Sequence, residues 1–215
     1  MGREYAEDLT PVVAMNVFQA RYLCDWKNLH APFLRELGVT HAVPGKVSNA
    51  PTSRRLFTEV NGGLRRLDWC PPGIGLFDGL YPWFLSRKID FFLPDDMAKE
   101  LHNLISGDAW IVTSEKCFRD DEERRQSVSE SGIFGPKPDV AQMAFLIAAT
   151  VFRYRTVPFA SPGVFDLRYV RTSTVLKDGR CVVMAFVSDR ALVFAAFPIH
   201  YSAPNILVMD AFIFQ

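Results

Sequence analysis

The chain has 215 residues, 49% of them hydrophobic and 18 of them phenylalanine, and its 24 lysines and arginines balance 24 aspartates and glutamates. That length suits one domain with a sizeable core, and the apolar content excludes global disorder. A zero net charge argues against a protein whose main work is coating nucleic acid, where a basic excess supplies most of the affinity.

Residues 1–10 are polar and carry Glu4, Glu7 and Asp8, so no secretory signal is expected there. The run VVAMNVFQARYL after Pro11 has mixed periodicity, with a lean towards strand for part of it. Asp25–Leu37 is a clearer helix, because Leu29, Phe33, Leu34 and Leu37 recur at helical spacing and Gly38 is placed to end it. Pro32 falls inside this run, so the helix either begins near Ala31 or carries Pro32 in its first turn. Residues 45–53 are a loop by composition. Residues 55–60 and 64–70 flank Asn61-Gly62-Gly63, a hairpin signal. Pro71-Pro72-Gly73-Ile74-Gly75 then breaks structure ahead of an aromatic cluster at 80–85. Gly73, Gly75 and Gly79 are spaced G-x-G-x-x-x-G with no helix pattern after them, which departs from a dinucleotide fingerprint.

Ile89–Leu93 reads as a strand. Pro94-Asp95-Asp96 starts a helix that runs through Leu101 and Leu104, with its acids at the positive end of the dipole. Ala109–Thr113 is a second strand. Residues 115–130 are a mixed charge run expected to form a solvated or mobile loop, within which Arg124-Arg125-Gln126-Ser127 resembles a basophilic kinase target. Residues 138–154 give the strongest helix, with Pro138 in its first turn and apolar residues at nearly every place. Its apolar run, around 140–152, is too short for a bilayer, which needs about 20 residues. From 161 to 197, three strand-like runs are separated by Lys177-Asp178-Gly179-Arg180 and by Ser188-Asp189. An Asp-Gly pair between β-branched and aromatic runs is a strong hairpin signal. Residues 206–214 read as a closing strand. No repeat or linker interrupts this, so the expectation is one α+β domain over 1–215, with mixed or antiparallel sheets and a buried helix around 137–152.

Chemistry is thin on the page. Cys24, Cys70, Cys117 and Cys181 form no C-x-x-C pair, which leaves out zinc ribbons and thioredoxin-type motifs and favours reduced thiols. A cysteine phosphatase loop needs arginine six positions after its cysteine; Cys117 is followed by Arg119 and Arg124. There is no G-x-S-x-G elbow. His30, His41, His102 and His200 lie far apart, so no metal is expected. Asp95 and Asp96 read as helix capping, and 120–123 as solvated loop. Arg171-Thr172-Ser173-Thr174 on a strand matches how many mono-ADP-ribosyltransferases hold NAD, but no glutamate follows Val175 to activate an acceptor.

The stretch FASPGVFDLRYVRTSTVLKDGRCVVMAFVSDRALVFAAF resembles the C-terminal core of the RolB/RolC family, the plasticity (PLAST) proteins encoded on Agrobacterium T-DNA. The carriers are Pro162-Gly163, Arg171-Thr172-Ser173-Thr174, the turn ending at Cys181, and the two strands after it. Ile89–Leu93, Asp95–Leu104 and Ala109–Thr113 resemble the family's strand–helix–strand unit, and Asp8-Leu9-Thr10-Pro11 with Asn16-Val17-Phe18 its lead-in. The resemblance implies a T-DNA-encoded effector, an oncogene product made in the plant, that alters growth and hormone response from the host cytoplasm or nucleus. It would act by binding host plant proteins, with no membrane and no direct nucleic-acid contact. The resemblance further implies a fold like that of ADP-ribosylating toxins. In that alternative an NAD-using cleft would contain Thr113, Arg171 and Ser173, and Phe92 stands where some relatives carry tyrosine. A glycosidase releasing hormones from conjugates is a further alternative, and it requires two carboxyls in one cleft. Otherwise no cofactor is expected.

Overall fold

The computed structural model describes residues 19–20, 22–42, 44, 64–120, 138–155, 160–161, 167–187, 190–201, 203 and 205–214; for 64–67, 112–120, 160–161, 207–212 and 214 the description is of the backbone. Two proline-centred helices set the pattern of its first half. Pro32 lacks an N–H, and its ring displaces the carbonyl four residues back, so the helix before it widens. His30 and Ala31 reach back five residues, to Asp25 O and Trp26 O, which makes Trp26–His30 a π-turn leading into α1 (Ala31–Glu36). The same arrangement recurs fifty residues on. Leu80 and Tyr81 bond to Gly75 O and Leu76 O, and the π-turn Leu76–Leu80 leads into α2 (Tyr81–Leu85), with Pro82 in its first turn.

Both helices end alike. Gly38 N–H donates to Arg35 O and Val39 N–H to Leu34 O; Lys88 N–H donates to Leu85 O and Ile89 N–H to Phe84 O. These are Schellman closures with a left-handed residue, Gly38 at φ 81 and Lys88 at φ 61. The two helices also meet through equivalent positions: Phe33 and Trp83, each just after its proline, pack edge to face with ring centroids 5.6 Å apart. Glu36 fastens the contact, accepting from Trp83 Nε1 at 2.9 Å and pairing with Arg87, whose guanidinium lies 3.8 Å over the Trp83 ring.

The remaining elements are β1 (Leu64–Cys70), β2 (Asp90–Phe92), α3 (Asp95–Leu101), β3 (Ala109–Asp120), α4 (Val140–Tyr154), β4 (Ala160–Ser161), β5 (Tyr169–Val175), β6 (Arg180–Val187), β7 (Ala191–Pro198) and β8 (Ile206–Phe214). The strands form one mixed sheet in the order β1-β3-β8-β5-β6-β7-β2, with β4 pairing β6. The β1/β3, β3/β8, β5/β6 and β6/β7 pairs are antiparallel, and β8 runs parallel to β5 and β2 to β7. The outward edge of β2 is blunted from within: Asp90 N–H bonds Arg190 O across the ladder, while Phe91 N–H is taken by the Asp90 carboxylate at 2.8 Å.

Helix α4 is apolar almost all round because it is buried almost all round. Residues 140–149 are all buried, and Val170, Val182, Met184, Phe186, Leu192 and Phe194 of the sheet belong to the same core. Phe33 joins it from α1, 5.4 Å from the Phe145 ring. Each buried phenylalanine contributes about 1.5–3 kcal/mol relative to exposure. A capping box starts the helix: Asp139 Oδ1 accepts from Gln142 N–H at 2.8 Å, and Gln142 Oε1 accepts from Asp139 N–H at 3.0 Å. Burial outweighs these bonds and raises the Asp139 carboxyl above its ordinary range.

The α+β class, the buried helix and the three C-terminal strands agree with the sequence reading; several local expectations do not. Of the run at 12–23, part of which was expected to be strand, residues 19–20 and 22–23 are helical, with Tyr22 drawn under Trp26 and His30 at ring-centroid distances of 6.0 and 3.7 Å, and 12–18 lie outside the described residues. A helix does follow Gly73-Ile74-Gly75. Residues 115–120 are strand rather than loop, since they continue β3 alongside Leu207–Met209 of β8. Pro138 precedes the cap Asp139 instead of sitting in the first turn. At the hairpin, Leu176 N–H bonds Arg180 O and Gly179 N–H bonds Leu176 O, with the left-handed angle at Gly179 (φ 84). That is a three-residue loop with a glycine bulge in place of a two-residue turn. The last strand, β8, closes the chain in the middle of the sheet. The proposed features at 8–18, 45–63, 121–137, 162–163 and 188–189, Ser127 among them, lie outside the described residues.

The twin closures generate a reciprocal test. Lys88→Gly removes the strain of a left-handed lysine and stabilises the protein by about 1 kcal/mol, whereas Gly38→Ala costs about as much. Open space surrounds the place a Gly38 Cβ would take, so that cost is backbone alone. Urea titration of both variants measures it.

Candidate functional site

The three positions that a transferase-like cleft needs do not converge. Thr113 pairs with Ala211 and Arg171 with Val208, on opposite sides of β8. Two interstrand steps of about 4.8 Å and three residues at about 3.3 Å put their Cα atoms about 14 Å apart. The Arg171 guanidinium is taken by the turn after β7, donating from Nη1 to Ile199 O at 2.9 Å and from Nη2 to Tyr201 O. Phe197, Tyr169 and Tyr201 form the aromatic bed beside it, with Phe197 centroids 5.4 and 5.1 Å from the two tyrosines. Phe92, where a tyrosine was of interest, stands 58% exposed on the edge strand β2.

The Thr-Ser-Thr run is a joint between strand and helix. Pairing of β5 with β6 slips between Arg171 and Val175. Thr172 fills the gap, donating its hydroxyl to Val182 O at 2.8 Å and accepting from Thr174 N–H at 3.2 Å. Cys181 Sγ donates to Thr172 O at 3.1 Å. Ser173 N–H bonds Pro138 O at 2.9 Å, and Thr174 Oγ1 accepts from Val140 N–H at 3.0 Å. The bulge therefore seats the start of α4, and the exposed Ser173 takes part through its backbone.

The glycine-rich turn is likewise committed. Gly73 N–H bonds Ser106 O, Ile74 N–H bonds Ser106 Oγ, and Leu76 N–H bonds Leu104 O, so these amides face the 104–106 segment instead of a phosphate. Asp96 and Asp178 share Arg180, at 3.2 and 2.5 Å. The Met97 amide and then Arg180 hold Asp96 below the carboxylate range, and the Arg180 amide and side chain do the same for Asp178. A general acid needs the opposite shift. Cys24, Cys70 and Cys181 are free thiols, and burial pushes Cys70 far up, away from thiolate reactivity. Among the described residues, no three His, Cys, Asp or Glu side chains come together as a metal site, and no helix is long and apolar enough to cross a membrane.

What the fold does assemble is a buried polar cluster that the sequence reading missed. Arg153, from the last turn of α4, donates Nη2 to Asp68 Oδ1 of β1 at 3.1 Å. The same Nη2 lies 3.5 Å from His30 Nδ1. Tyr22 stacks on the His30 ring at 3.7 Å and meets Trp110 edge-on at 5.1 Å. Tyr22, His30 and Asp68 are 5%, 6% and 2% exposed. Burial, followed by the charge of Asp68, raises the Tyr22 phenol well above its ordinary range. Burial works against the Arg153 charge, but Asp68 and Tyr154 outweigh it and the guanidinium is held more firmly protonated. No sequence signal joins these residues, which lie 85 and 123 positions from Arg153 in the cases of Asp68 and His30.

Comparisons with family models, with curated proteins and with solved structures find no match to the chain.

If the Thr-Ser-Thr run is a joint, Thr174→Val costs about 1 kcal/mol through the lost acceptor for Val140, and Ser173→Ala leaves stability unchanged. Thermal denaturation of the two variants distinguishes this from a run kept for ligand contact.

Proposed function

We propose that the chain is a plant-host effector of the RolB/RolC type that alters growth and hormone response by binding host regulatory proteins from the cytoplasm or nucleus. The observation that carries the binding reading over the NAD-using one is Arg171: its guanidinium already holds the carbonyls of Ile199 and Tyr201. An arginine so placed orders the turn between β7 and β8 and leaves that turn's exposed Ile199 and Tyr201 as contact surface. The family assignment rests on the hairpin pattern around Arg171–Cys181 and on the strand–helix–strand unit that begins at β2.

Incubation with labelled NAD and plant extract, paired with expression in leaf tissue under an auxin-responsive reporter, tests the reading. The expected result is an altered hormone response, no label transfer, and no rise in Tm at millimolar NAD, since a ligand of the native state raises stability once it exceeds its dissociation constant. Label transfer that Arg171→Lys abolishes without lowering Tm would establish the transferase instead. An unchanged hormone response would remove the effector reading.

A further inference from the structure

Ser86 caps the C-terminal end of α2, exposed beside the exposed Leu85, with Arg87 and the exposed Lys88 directly after it. Its hydroxyl is used twice: Oγ donates to Trp83 O at 2.6 Å and accepts from Arg87 Nη1 at 2.9 Å. The same guanidinium lies over the Trp83 ring and pairs through Nη2 with Glu36, which ties α2 to α1. Arg87 Nε is shielded from solvent and, among the described residues, has no acceptor. A shielded donor left without an acceptor costs free energy that a suitable oxygen would recover. The corner between the two helices thus sets an exposed serine oxygen against a guanidinium with bonding capacity to spare.

A phosphoserine carries about −1.5 to −2 charges at pH 7 and three acceptor oxygens, and it forms charge-assisted, bidentate bonds with arginine. We propose that Ser86 is a phosphorylation site whose phosphoryl group takes Arg87 from Glu36 and so loosens α1 from α2. The run Leu85-Ser86-Arg87-Lys88 suits a serine kinase that reads basic residues after its serine. In the step, Oγ forms a bond to the γ-phosphorus of magnesium-bound ATP and the bond from that phosphorus to its bridging oxygen breaks. ADP leaves with that electron pair, and the hydroxyl proton passes to the base of the kinase.

Two effects of the ester act in the same direction. The modified Oγ has no proton for Trp83 O, so that bond is lost. The phosphoryl oxygens and the Glu36 carboxylate carry like charge and compete for one guanidinium. The phosphoryl group has the larger charge and sits on the adjoining residue, whereas Glu36 is 51 positions away and its side chain is 42% exposed. Glu36 is then left with Trp83 Nε1 alone, and the edge-to-face contact of Phe33 with Trp83 loses its clasp. The site rests on this corner and is independent of the effector reading.

Incubation of the full chain with magnesium-ATP and the catalytic domain of such a kinase tests this, with the modified residues mapped by mass spectrometry and Tm measured before and after. Phosphate is expected on Ser86, with a fall in Tm of about 2–4 °C, the size of one lost surface pair in a chain of this length. Ser86→Ala treated in the same way, which controls for phosphate on Ser127 or any other residue, is expected to show no such fall. Glu36→Gln removes the competing charge while keeping an acceptor for Trp83, and is expected to reduce the fall to less than half. An unmodified Ser86 would overturn the site. Phosphate on Ser86 with Tm unchanged or raised, or with the same fall in Glu36→Gln, would overturn the release of Arg87. Should either variant fail to fold, the mapping and the wild-type Tm decide alone.

Discussion

Arg153 reaches from the last turn of α4 to Asp68 in β1, and His30 closes over the pair from the N-terminal helical segment. A buried charge is tolerable only when its partner is held in place. The contact consequently fixes three elements that are remote in sequence. Helix α4 cannot slide along the sheet without drawing Arg153 away from Asp68, and the segment 22–36 cannot lift without uncovering both. The apolar core supplies most of the stability, but apolar packing is non-directional; the ion pair supplies the register.

The second constraint is the pair of proline-widened helices. Each proline opens a π-turn behind it, and each helix closes on a left-handed residue six positions later. Because the geometry repeats, Phe33 and Trp83 arrive at each other's faces and Glu36 can hold Trp83 and Arg87 together. Through Phe33 this corner runs directly into α4 at Phe145 and Phe152, next to the turn that carries Arg153.

The C-terminal strands and the buried helix were legible because their signals are local: period-two runs, an Asp-Gly turn, and an apolar stretch behind Asp139. The twin helices share little beyond a proline followed by an aromatic, so the repeat left no mark in composition. Asp68, Arg153 and His30 are remote from one another in sequence, and only the folded chain brings them together. Arg171 was legible as a polar residue on a strand. Its use was not, since its partners are backbone carbonyls, which every residue carries. Residues 115–120 misled in the opposite direction: their charges suggested a loop, but their backbone continues β3 alongside Leu207–Met209 of β8.

The conspicuous polar residues of this scaffold are spent on holding strands, turns and helix starts. The claim on which the account rests most heavily is that Asp68 and Arg153 act as one unit. A double-mutant cycle with Asp68→Leu and Arg153→Met, followed by urea denaturation, measures it directly. The account predicts that each single change costs about 3–5 kcal/mol by removing the opposite charge from a buried ion, and that the double variant recovers at least about 2 kcal/mol of the summed loss. Additivity within about 0.5 kcal/mol would contradict it.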